Sequence, residues 1–359
     1  MLTADGCRAR RTRLLERIKP TQPLLFTDPN TLRYLANFHV DPFHFSGDQG
    51  GLLVLHPDGK TTVYYENKLP GSVKKAFVDE LVALAWYDGQ NPGKGPRALA
   101  LLEMAQKHGG RIHDSLEDPD VKPVVTAIAD MRRRKDPDEI AIMKQCMKAT
   151  NAGHAWARQN IKAGMSEFDV YRGVAAVCQE TAGQPIIVYG DFAVSPGSAR
   201  RGGAPTHQIL ADGDMFILDY SVIIWGYRSD FTNTLVVGKK PRPDQQSLYD
   251  HCMAAMQAGE RELKDGAACL TVYNAVRGAF EKAGVAESFP HHAGHGIGLG
   301  HPEAPYIVRH ATETLVAGDV VTLEPGLYVD NVGGIRIEHN YLITATGYER
   351  LSGHEISLV

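Results

Sequence analysis

The chain has 359 residues, enough for roughly two domains at about 150 residues each, so a single small module is excluded. Hydrophobic residues make up 43% and charged residues 22%, and 36 glycines with 20 prolines stay below the level that marks a low-complexity or disordered chain. A net charge of −4 gives no polycationic field for nucleic acid or anionic lipid, and no run of 18 apolar residues is present, so neither nucleic acid nor a membrane is an expected partner.

The first 20 residues carry basic side chains without a continuous apolar core, which does not match a secretory signal; a soluble cytoplasmic protein is expected. Residues 1–125 alternate strand-like runs (LLFTD, GLLVLH, TTVYY) with runs read as helical over 81–86 and 99–107, the pattern of a small α/β domain. Residues 126–136 read as a linker. A helix starts immediately after it, with Asp136 as cap, Pro137 at the first helical position and Glu139 placed to reach back to the cap. Residues 137–359 then read as an α+β domain, with helices over 166–181, 245–264 and 271–282 and strands over 215–223, 232–237, 320–329 and 335–344. The five cysteines are scattered, form no CxxC and read as small buried hydrophobes.

Two hairpins in this second domain each carry a pair of carboxylates. In DYSVIIWGYRSDFTNT a hairpin centred between Ile224 and Trp225 sets Asp219 opposite Asp230. In VVTLEPGLYVDNVGGIRIEHNYLIT the turn over 330–334 sets Glu324 opposite Glu338. Like charges directly across a ladder repel, so the two pairs call for cations between them. Four converging carboxylates suit a dinuclear site with ions about 3.5–4 Å apart, and oxygen-rich ligation favours harder ions of the Mn²⁺ type.

Of 15 histidines, six lie between His291 and His339. His295, in HHAGHGIGLGHPEAP, is the most plausible nitrogen ligand because its flanking glycines let the backbone pass close to a metal or substrate. Arg336 lies two residues before Glu338, on the same strand face, where it can orient or compensate the carboxylates. A glycine-rich nucleotide loop is a poor reading of GHGIGLG, since no strand precedes it and no helix follows. On spacing alone His207, His291, His292 and His339 stay open between surface, core and site.

In order along the chain, D(x)10D in the GYRSD context, GHGIGL, VTLEPGLY and GGIRIEH resemble the metal-dependent aminopeptidase and prolidase family with the pita-bread fold. The first 125 residues resemble the smaller creatinase-type N-terminal domain of its proline-directed members. The resemblance implies that Asp219 binds one ion, that Asp230 and Glu338 bridge two, and that His295 and Glu324 complete the second. It implies two divalent ions, Mn²⁺ first with Co²⁺ or Zn²⁺ as alternatives, Glu324 as general base, His291 near the substrate, Tyr328 as a pocket aromatic, and a homodimer. The implied reaction is hydrolysis of the Xaa-Pro bond in dipeptides or short peptides, by a dipeptidase or an aminopeptidase.

Three positions depart from the family pattern. Pro302 stands where a histidine usually stabilises the tetrahedral intermediate, with His301 one residue earlier; Gly202 stands where a second substrate-side histidine is usual; Asn233 replaces the arginine of SDxTRT. His301 or His207 is the candidate to fill the vacant roles. The alternatives are a hydrolase of the same fold acting on a non-peptide C–N substrate, and a non-catalytic binding protein.

Overall fold

The computed structural model describes residues 1–115 and 118–359. The chain divides into two compact units, Met1–Arg132 and Arg133–Val359.

The N-terminal unit opens with helix α1 (Ala4–Ile18), whose start is fixed by the Thr3 hydroxyl accepting the Gly6 N–H at 3.1 Å. It continues through β1 (Leu24–Phe26), α2 (Pro29–Ala36), β2 (Gly51–Leu55), β3 (Thr61–Glu66), β4 (Glu80–Leu84) and α3 (Leu99–Lys107), with α4 (Lys122–Arg133) at the division between the units. The four strands form one sheet in the order β1-β2-β3-β4, antiparallel except for the parallel pair β3–β4. Residues 81–86, read as helical, are instead mostly strand: Leu81 pairs with Val63 and Ala83 with Tyr65. A run this short completes too few helical turns to offset the ladder bonds available beside β3. Of residues 126–136, read as linker, 126–133 lie in α4, where Val124, Ala127, Ile128 and Met131 form one buried stripe at helical spacing.

The C-terminal unit runs α5 (Pro137–Asn160), α6 (Glu167–Ala182), β5 (Ile187–Val194), β6 (Met215–Ile224), β7 (Tyr227–Arg228), β8 (Phe231–Val236), α7 (Pro243–Glu260), α8 (Cys269–Lys282), β9 (Gly294–Gly296), β10 (Glu303–Ile307), β11 (Val320–Leu323), β12 (Gly326–Val329), β13 (Gly333–Arg336), β14 (His339–Ile343) and β15 (Tyr348–Arg350). The anticipated reach-back bond at the start of α5 is present, Glu139 accepting the Asp136 N–H at 2.9 Å. Strand β6 pairs with β5 on one side and with β7 and β8 on the other, while β9, β11 and β14 form the middle of a five-stranded sheet. A core of Leu248, Met256, Val276, Phe280, Leu323, Ile335 and Tyr341, with their buried neighbours, packs α7 and α8 against the second set of strands. All five cysteines are buried. Among the described residues no helix is long and apolar enough to cross a membrane.

The two hairpins differ from each other in register. In the first, Ile224 pairs with Tyr227 and Asp219 with Thr232, so the expected direct opposition of Asp219 and Asp230 does not occur. The cause is the turn: Trp225 (φ 52°) and Gly226 (φ 83°) are both left-handed and close a two-residue loop one position later than expected. A slip of two in pairing keeps every side chain on its face, so the two aspartates still share one. In the second hairpin Leu323 pairs with His339 and Gly326 with Arg336, the register that sets Glu324 against Glu338. The ladder breaks at that point, where the Glu324 N–H turns to Ala293 O (2.8 Å) and the Glu338 N–H to Thr232 O (3.0 Å).

Candidate metal centre

The two hairpins are stitched edge to edge. The Asp230 N–H donates to Asn340 Oδ1 at 3.0 Å, and the Arg336 N–H to Thr234 Oγ1 at 3.0 Å, so Asp230, Glu338 and Arg336 are placed by one continuous seam. Across it Asp219, Asp230 and Glu338 bring their carboxylate oxygens within 4.8 Å of one another. The second wall comes from β9, where Cβ atoms on Gly294 and Gly296 would overlap Thr322 of β11 and Ala304 of β10, so only glycines let the strand that carries His295 lie this close to both neighbours. The His295 Nδ1 faces its own neighbour's carbonyl, Gly296 O, at 3.0 Å, leaving Nε2 toward Glu324 Oε1 (3.5 Å) and Asp230 Oδ2 (3.6 Å).

All five residues expected to ligate are therefore brought together. Two further histidines join them. His301 Nε2 lies 2.7 Å from Asp230 Oδ2, and His292 Nε2 lies 2.9 Å from Glu324 Oε1. His292 is open on sequence alone; the signal that singles it out is its place three residues before His295 on a turning backbone. His207 lies on an exposed stretch against Phe168, and His339 is buried with Nδ1 on Ser352 Oγ at 2.7 Å.

Arg336 donates to Asp219, Asp191 and the Tyr328 hydroxyl, the last at 2.9 Å, and Tyr328 in turn meets His291 Nε2 at 3.3 Å. The departures from the family pattern have local explanations. A side chain at Gly202 would overlap the Asp191 carboxylate. Asn233 ties the C-terminal segment instead, its amide donating to Ser357 O at 2.9 Å.

Electrostatically the centre asks for cations. Burial pushes the Asp219 carboxyl up to about 7; Arg336 pulls it down, while Asp230, Asp191 and Glu324 add to the rise. Burial, followed by the charges of Asp230, Asp219 and Glu324, raises Glu338 well above the carboxylate range. Asp219 Oδ1 and Glu338 Oε1 are buried with no hydrogen-bond partner among the described residues, although buried polar atoms are normally paired. Two orphaned oxygens inside a cluster of carboxylates and imidazoles fit bound divalent ions. Burial raises Glu324 too, but the bond from His292 and the charges of His292, His295 and His291 hold it below the usual range. His301 is pulled down by burial and carried above its ordinary value by the bond to and charge of Asp230.

Residues 141–345 match the model of metallopeptidase family M24. The chain is 26% identical over 346 residues to an uncharacterized peptidase of Staphylococcus aureus, covering 92% of this chain and 94% of that one. Among solved structures it is similar to an Xaa-Pro dipeptidase from Bacillus anthracis (TM-score 0.79, 23% identity, 98% and 99% of the two chains covered) and to the dipeptidase PepE from Mycobacterium ulcerans (TM-score 0.75, 25% identity, 99% and 97% covered). The fold is the two-unit pita-bread architecture that the motifs imply, and the chain belongs to metallopeptidase family M24.

Proposed function

We propose that the protein is a dinuclear metallopeptidase that hydrolyses the Xaa-Pro bond of dipeptides or short peptides. What supports this most directly is the pair of orphaned oxygens, Asp219 Oδ1 and Glu338 Oε1, inside the ligand cluster of a family M24 chain. The proline-directed preference is supported by the similar Xaa-Pro dipeptidase, matched along nearly the whole of both chains.

Asp219 would hold one ion, Asp230 and Glu338 both, and His295 and Glu324 the other. When bound, Mn²⁺, or Co²⁺ or Zn²⁺ in its place, supplies Lewis acidity toward the scissile carbonyl and lowers the pKa of the attacking water. Glu324, held by the Thr322 hydroxyl at 3.1 Å, takes the proton of that water and delivers it to the departing nitrogen. Burial lowers His291 to about 4, so its ring is neutral. Its Nδ1–H donates to His292 O at 2.8 Å, leaving Nε2 to accept from Tyr328. Tyr328, accepting from Arg336, completes a polar wall for the substrate beside the centre. His301, whose Nε2 lies 2.7 Å from Asp230 Oδ2 at the edge of the centre, donates a hydrogen bond to the developing oxyanion in place of the histidine absent at 302.

A panel of Xaa-Pro dipeptides, Xaa-Pro tripeptides and small non-peptide C–N substrates tests the reading on metal-loaded protein. Turnover confined to the Xaa-Pro compounds is expected. No peptide turnover at full metal content overturns it, and turnover of the non-peptide set alone replaces it with the C–N hydrolase that Gly202 and Pro302 favour.

A further inference from the structure

We infer that His292 supplies the half of the centre that holds His295 and Glu324 with a second imidazole ligand. This rests on the dinuclear reading and extends it to residues and ion types.

One half, Asp219 with Asp230 and Glu338, offers oxygen only. In the other, His292, His295 and Glu324 bring their ligand atoms within 4.8 Å of one another. The His292 and His295 rings stand edge to face, 5.3 Å between centroids and 71° between planes, an arrangement in which two nitrogens reach one point without the rings colliding. The backbone between them is fixed on both sides, since the Ala293 N–H donates to Ile307 O at 2.9 Å and Ala293 O accepts the Glu324 N–H at 2.8 Å. The same amide bond that turns Glu324 out of its ladder thus sets its carboxylate against both rings. The Thr322 hydroxyl donates to Glu324 Oε1 at 3.1 Å and accepts the His295 N–H at 3.1 Å, so carboxylate and imidazole are held by a common anchor. With 39% of its side chain exposed, His292 is reachable by an incoming ion.

Two imidazoles and a carboxylate make the donor set of catalytic zinc sites, whereas a carboxylate-only set suits Mn²⁺ and other hard ions. The protein is therefore built for an ordered, mixed filling: a borderline ion beside His292 and His295, a harder one beside Asp219 and Glu338.

X-ray absorption at the zinc edge, on the full-length metal-free protein given one equivalent of Zn²⁺, counts the imidazoles directly. Two per zinc are expected in the wild type and in His301→Gln, and one in His292→Gln. Calorimetry should show the first Zn²⁺ affinity falling about tenfold or more in His292→Gln, with Mn²⁺ then taken up at the second position as in the wild type. A single imidazole in the wild-type spectrum, or an unchanged count in His292→Gln, overturns the inference and leaves His292 as a hydrogen-bond partner of Glu324. Absence of any tightly bound ion would overturn the dinuclear reading itself, an outcome distinct from the first two.

Discussion

The hairpin through Trp225 and the hairpin through Asn331 do the same job by partly different means. In the first the ladder runs unbroken from Met215↔Val236 to Tyr220↔Phe231 with Asp219 inside it, and Asp230 lies just before its second strand. In the second the ladder is interrupted where the glutamates sit, yet one register holds on both sides of the gap. The interruption frees two amides, which bond to Ala293 and Thr232 and so fasten the glutamates to neighbouring strands. Asp219 needs no more than a face of a continuous strand, whereas Asp230 lies between β7 and β8 and is fastened, as the glutamates are, by its N–H to a neighbouring strand at Asn340 Oδ1. The longer glutamates, one of them the proposed base, sit where extra backbone and side-chain bonds limit their freedom.

The largest test of this contrast is Glu324→Gln, which removes the proposed base and one ligand charge while keeping the shape. Turnover should fall by about 10²–10⁴-fold with the thermal midpoint of the metal-free protein unchanged; retained turnover would break the assignment. Next comes Thr232→Val, which deletes the hydroxyl donating to Glu338 Oε2 at 2.6 Å and so loosens a glutamate without touching it. Metal affinity should fall about 10–100-fold by titration calorimetry. An unchanged affinity would mean that the backbone bond at Glu338 alone suffices.

How much of this could be read beforehand followed from how local each cause is. Glu324 and Glu338 were legible, register included, because residue 331, their midpoint, falls within the turn expected over 330–334 and is the centre of the observed loop between Val329 and Gly333, and the gap in the ladder takes equally many residues from each strand. Asp219 and Asp230 were legible as a pair and misplaced in register, since a left-handed Trp225 is uncommon and no spacing rule announces it. His292 stayed ambiguous because its partner, Glu324, is 32 residues away. Strand β4 was misread because Leu81, Ala83 and Leu84 suit a helix as well as a strand, and only pairing with β3 decides.

Behind the first hairpin, the His154 ring stacks on Phe231 (5.3 Å between centroids, 18° between planes) with its Nε2 3.1 Å from Phe231 O. Burial lowers His154 to about 3 from an unfolded value near 6.5. The folded state thus holds the ring neutral, and the unfolded chain binds the extra proton. Stability from this group is complete above pH 6.5 and is lost as pH falls toward 3, about 2 kcal/mol of it by pH 5. Urea midpoints measured from pH 7 to 5 should therefore fall in the wild type and fall less steeply in His154→Gln. Equal slopes would remove this histidine from the acid limit of the continuous hairpin.

The smallest expected effect lies in the turn itself. Gly226→Ala asks a residue with a Cβ to keep φ 83°, at a cost of about 1 kcal/mol, or roughly 2–4 °C in the thermal midpoint of a unit this size. Because β6 is held on its far side by eight paired residues of β5, from Ile187↔Ile223 to Val194↔Phe216, the strain should not move the register. A one-residue slip would turn Asp219 or Asp230 away from the centre, and the cobalt-loaded protein would then lose its ligand-field spectrum. A lowered midpoint with an unchanged spectrum is the expected pair of results. A changed spectrum would show that the loop holds the aspartates in place, as the bonds to Ala293 and Thr232 hold the glutamates.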